Sequence, residues 1–223
     1  MGHMTAAAES PLPPRDPVRP DRLLRAEHDT LLPLLRGTPG PDFDRPTACP
    51  DWSVRDVLAH CSAVLNRVIT GQLNDFTPEL NEVDVAERRG WPLPRLLDEL
   101  AGGCQAAGPV MGAGSPRLDI IALGAWVHGG DVRDALGEPH AYGRDGFGDA
   151  AVLLAGFARY CKIPRTEVLL PETTLDLGVS LPGRPAASLR TSPDTLIRLI
   201  AGRPASAADY ELTGAAAAEL VVF

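Results

Sequence analysis

Lysine is almost missing from this 223-residue chain: Lys162 is the single one among 21 basic residues, which face 29 acidic residues for a formal charge of −8. No basic run occurs, and without clustered Lys and Arg a chain has no surface for nucleic-acid phosphates. Aromatic residues make up only 5%. No apolar stretch approaches the roughly 20 residues that cross a bilayer, and no signal-peptide pattern is visible. No CxxC pair or metal-type spacing links Cys49, Cys61, Cys104 and Cys161, so they read as reduced thiols of a cytoplasmic protein. Nucleic acid and membrane are therefore excluded as partners.

What is present describes a globular chain, with 44% hydrophobic and 22% charged residues. Its length suits one sizeable domain with a small second one. Abundant Ala, Gly, Pro and Arg fit a GC-rich bacterial genome. Residues 1–17 are Ala- and Pro-rich and read as a disordered tail, headed by a cloning remnant, Met1-Gly2-His3-Met4.

The most informative stretch is Thr47–Leu65, TACPDWSVRDVLAHCSAVL. Pro46 and Pro50 bracket a loop holding Cys49. Ser53 and Asp56 then form a capping box that opens a helix. Val57, Cys61, Val64 and Val68 follow helical spacing, with His60 beside them. A histidine there serves either as a packed core residue or as a metal ligand. Cys49 reads as a packed loop thiol, and Trp52 as an anchor for the helix start.

A helix from Asp21, as its cap, to about Arg36 precedes this stretch, with His28 on its apolar face. Residues 72–91 are polar and read as a long connection. A third helix covers about Leu93–Ala107, and Gly108–Pro116 reads as a turn. A fourth, about Leu118–Leu136, carries His128 with Asp131 three residues on, on the same side. Gly124, Gly129 and Gly130 interrupt it, each costing roughly 1 kcal/mol against alanine in a helix interior. Close approach by another element or a ligand explains such glycines. Asp134 reads as pairing with Arg133 or Arg117. A fifth helix spans about Phe147–Cys161. Short strands at Thr173–Leu177, Ser188–Thr191 and Asp209–Thr213, with a helix at Pro193–Ala201, follow Pro164. The chain thus divides into a mainly helical domain (18–163) and a small α+β unit (164–223).

The segment TACPDWSVRDVLAH at Thr47–His60, followed by VHGGDVRDALG at Val127–Gly137, resembles the mycothiol-dependent maleylpyruvate isomerase family of the DinB-like superfamily. LIRLIAGR at Leu196–Arg203 with YELTG at Tyr210–Gly214 is similar to the sterol-carrier-like domain that many members carry. The resemblance implies a DinB-like four-helix bundle holding a divalent metal, usually zinc, followed by a small α/β domain. It implies a low-molecular-weight thiol such as mycothiol as cofactor, and isomerase or thiol-transferase chemistry on a small electrophilic or acidic substrate. His60 matches the first metal ligand and His128 the last, while the remaining ligand position falls on Gly124, which has no side chain to donate.

Asp131 or His28 could substitute as the third ligand. His60 and His128 are the expected catalytic histidines, and Arg203 would clamp a substrate carboxylate. Trp126 and Gly124 would line the cofactor space. Two other readings remain: a metal-free small-molecule binding protein, and a metal-independent enzyme with His60 or His128 as acid–base group. The assembly expected is a monomer or homodimer.

Overall fold

A computed structural model describes residues 11–73 and 77–223. The first ten positions of the expected tail, His3 included, lie outside the described residues. The chain divides into two units, 15–150 and the pair of segments 11–14 and 151–223.

The larger unit is built on four helices, α1 (Arg19–Gly37), α2 (Val54–Thr70), α4 (Leu93–Ala113) and α5 (Asp119–Leu136). Between α2 and α4 lies a shorter helix, α3 (Pro78–Arg88). α1 and α2 each pack on both α4 and α5, which makes the four-helix bundle. Leu23, Leu24, Leu31 and Leu35 of α1 repeat at helical spacing and are buried. Val57, Leu58, Leu65 and Val68 of α2 do the same, so each helix presents one apolar stripe inward. The expected capping box is present at α2. Ser53 accepts from the Asp56 N–H, and Asp56 accepts from the Ser53 N–H. Gly71, in the left-handed region at φ 68°, ends the helix.

Three local expectations are corrected. The polar connection holds α3, capped by the Thr77 hydroxyl. Its buried Asp84 pairs with Arg67, and buried Arg88 pairs with Glu99. α4 runs on through the supposed turn at Gly108 and Pro109 to Ala113. There a Cβ on Gly108 would lie 2.4 Å from the Asp21 Cα, so the small residue is what lets α1 and α4 approach. Asp21 itself sits inside the first turn of α1, which starts at Arg19 without a side-chain cap. Arg15 is held by Asp119 at 2.8 and 2.9 Å and by two carbonyls at the end of α4.

α6 (Phe147–Tyr160) follows α5, and the division between the units falls within it. The smaller unit holds β1 (Thr166–Leu169), β2 (Thr174–Leu177), β3 (Ala187–Thr191), α7 (Pro193–Ile200) and β4 (Tyr210–Thr213). The strand order is β2-β1-β3-β4, with β1 and β3 parallel and the outer pairs antiparallel. The sequence pattern left β1 out. Val168 and Leu189, paired across β1 and β3, are fully buried.

Candidate functional site

The loop before α2 is folded tightly. Pro46 and Ser53 form an antiparallel bridge, and the Thr47 N–H donates to the Trp52 carbonyl at 3.0 Å. The Thr47 hydroxyl accepts from the Cys49 N–H at 3.2 Å. These bonds hold Cys49 at the bundle surface, 7% exposed, with its sulfur turned toward α5.

On α5 the i, i+3 spacing puts His128 and Asp131 on one side, with His128 Nδ1 2.9 Å from Asp131 Oδ2. The Cys49 thiol donates to the same carboxylate oxygen at 3.1 Å, and its Sγ lies 3.6 Å from His128 Nδ1. Because a carboxylate only accepts, Nδ1 is the donor in this pair. The Tyr142 hydroxyl donates to the other oxygen, Oδ1, at 2.6 Å. Asp131 is fully buried, so these donors replace the water it would otherwise bind.

His60 faces this cluster from α2. Its ring centroid is 5.3 Å from that of His128, edge to face. Trp52 flanks both imidazoles, with centroids 5.0 Å from His60 and 6.3 Å from His128, and its indole N–H donates to Glu82 of α3 at 2.8 Å. His60 Nδ1 is buried with no hydrogen-bond partner. Burial, helped by the neighbouring His128, pushes the His60 pKa down to about 3, so this imidazole is neutral at pH 7 with an uncommitted nitrogen.

The three glycines of α5 prove unlike one another. A Cβ on Gly129 would lie 2.2 Å from Glu27 Oε2, and one on Gly130 2.2 Å from the Tyr142 ring. They let the interior close: Glu27 sits buried between Arg133 and Arg144, and Tyr142 reaches Asp131. A Cβ on Gly124 would meet nothing within 4 Å. One turn before His128, the helix therefore borders open space. On the inward side of His128 lies a cavity of about 10 Å³, bounded also by Glu27, Cys61 and Cys104. That is room for about one water.

Several expectations change here. Trp126 is fully buried, its N–H spent on the Asp145 carbonyl and its ring under the Arg144 guanidinium. It therefore offers no surface to a cofactor: positions 126 and 128 are two apart on the helix and face different sides. His28 pairs with Asp29 and Gln105. Arg133 turns inward to Glu27 and Thr30. Arg203 belongs to the smaller unit, just past α7. Cys49 and Tyr142 join the site unforeseen. The one visible signal was a cysteine set in a rigid polar loop directly before the histidine-bearing helix.

Zinc accepts sulfur, nitrogen and oxygen donors. Among the described residues, one group places such donors within 4.8 Å of one another, namely Cys49, His128 and Asp131. The donor types fit a divalent metal of this class, but the set is not the one implied by the family pattern. That pattern needs a side chain at Gly124.

The mycothiol maleylpyruvate isomerase N-terminal domain model matches residues 24–132. The bundle belongs to that family. Two solved structures share the fold over most of the chain, the mycothiol-dependent maleylpyruvate isomerase and a histidine-to-alanine variant of it. Each is 14% identical and covered over 95% of its length by 91% of this chain, with TM-scores of 0.58 and 0.59 respectively. No curated protein matches the sequence. Among the described residues, no helix is long and apolar enough to cross a membrane.

Proposed function

We propose that this protein is a thiol-dependent isomerase or thiol transferase acting on a small electrophilic or acidic substrate, with mycothiol or a similar low-molecular-weight thiol as cofactor. The observation that carries the reading is the facing pair His60 and His128. They come from two different helices of a bundle of this family, and one buried ring nitrogen has no partner.

A divalent metal held through His128, when bound, would lower the pKa of a thiol that reaches it. The protein's own groups prepare that place. Asp131 holds His128 in place, and Tyr142 fixes Asp131. Trp52 covers the two imidazoles on one side and keeps their surroundings poor in water. The missing side chain at Gly124 leaves space for thiol or substrate beside His128.

The chemistry that suits this arrangement is conjugate addition. The thiolate sulfur bonds to the β-carbon of an electron-poor double bond, and the π pair moves onto the adjoining carbonyl as an enolate. Rotation about the new single bond is followed by return of that pair and loss of the thiolate, so the net change is cis–trans isomerisation. A thiol transferase would retain the carbon–sulfur bond and protonate the enolate.

The test is isomerisation of maleylpyruvate followed with and without mycothiol, for the unaltered chain and for His60→Ala and His128→Ala. Turnover that requires the thiol and falls at least 100-fold in both variants is expected. Failure of every thiol to support turnover of any cis-α,β-unsaturated acid would overturn the reading.

A further inference from the structure

We propose that this chain binds its divalent cation through Cys49 Sγ, His128 and Asp131, so that a thiolate from the loop before α2 replaces the side chain absent at Gly124. The inference rests on the reading above that the bundle holds a metal, and it names which residues do so.

The geometry favours this set over the two histidines. With bonds of about 2.3 Å to sulfur and 2.0–2.1 Å to nitrogen and oxygen, tetrahedral ligand atoms stand roughly 3.3–3.5 Å apart. The three donors here are separated by 2.9, 3.1 and 3.6 Å. Two edges must therefore open by only a few tenths of an ångström. His60 does not join the group.

The donors are also already organised. The Cys49 thiol is oriented by the turn at Thr47–Trp52, and Asp131 is anchored through its second oxygen by Tyr142. A thiol and an imidazole N–H are aimed at one buried carboxylate oxygen. A dication takes the place of those two protons. On binding, the thiol proton passes to solvent, while the imidazole moves its proton from Nδ1 to Nε2 and ligates through Nδ1. No oxidant or reductant is involved.

Among the described residues, the other cysteines lie outside this group of donors. Cys161 is exposed and belongs to the other unit. His60 keeps its uncommitted nitrogen, 5.3 Å ring to ring from His128.

The test is titration of Co²⁺ into the metal-free full chain carrying Cys161→Ser, alone and with Cys49→Ser or His60→Ala. A near-ultraviolet sulfur-to-cobalt charge-transfer band saturating at one equivalent is expected. It should be absent in Cys49→Ser and retained in His60→Ala, with circular dichroism establishing that each variant keeps its helices. Visible cobalt bands without the charge-transfer band, lost in His60→Ala, would place the ion on the two histidines and overturn the inference while leaving the proposed activity intact. No cobalt spectrum at all would overturn it as well, and would remove the metal from the proposed function. A charge-transfer band in a protein with no thiol-dependent turnover would uphold the site and reject the activity.

Discussion

The Cys49 thiol donates to Asp131 Oδ2 across 82 residues of sequence, at 3.1 Å. This bond ties the capping loop of one helix to the buried face of another. It also makes the electrostatics of the site depend on a residue outside both histidine-bearing helices.

Tyr142→Phe removes the donor to Asp131 Oδ1 and leaves a fully buried carboxylate oxygen without that bond. Stability should fall by about 1–3 kcal/mol. Because partners behind a ligand set its orientation, affinity for Co²⁺ or Zn²⁺ should fall about 10-fold or more. Urea unfolding and competitive metal titration measure the two effects separately.

The glycines of α5 should respond in opposite directions. Gly130→Ala drives a methyl into the Tyr142 ring and should cost about 1–3 kcal/mol. Gly124→Ala meets nothing and should stabilise the helix by up to about 1 kcal/mol. Thermal melting of the two variants gives the comparison, and a loss of stability in Gly124→Ala would contradict the open space beside His128.

Glu27 is buried between two guanidiniums, 2.8 Å from Arg133 and 2.7 Å from Arg144. Glu27→Ala strands two cations in the bundle interior and should cost about 3–5 kcal/mol. Denaturant midpoints measure this, and a change below about 1 kcal/mol would mean that the ion triad is solvated.

Asp149 should contribute to acid sensitivity. Hydrogen bonds from Arg22 hold its carboxyl below the usual value, outweighing burial, and Arg19 adds to this. The folded-state pKa lies below the unfolded value of about 3.9. Its contribution to stability is therefore complete above that value and lost as pH falls through the folded-state pKa. Asp149→Asn should lower stability at pH 7 and flatten the decline between about pH 5 and 2, read from urea midpoints along the series.

Much of this was legible where the cause is local. The Ser53–Asp56 box, the left-handed stop at Gly137 and the His128–Asp131 pairing all follow from spacings of three or four residues. α3 was not, because beside Val85 its buried residues are the charged Asp84 and Arg88, whose partners come from α2 and α4, and one apolar residue makes no stripe. Nor was the far end of α4, where packing on α1 outweighs the helix-breaking tendency of Gly108 and Pro109. Cys49 is the clearest case. Its loop reads as a turn, and only the tertiary fold reveals which helix the sulfur faces.

Trp52 gives the molecule a reporter of its own. Its ring lies against both imidazoles while Trp126 is sealed in the interior. A paramagnetic ion or a bound thiol beside His128 should therefore quench the emission of Trp52, against a background from Trp126 and the third tryptophan, Trp91. The fraction of light lost would then count occupied molecules directly, in solution and without a label.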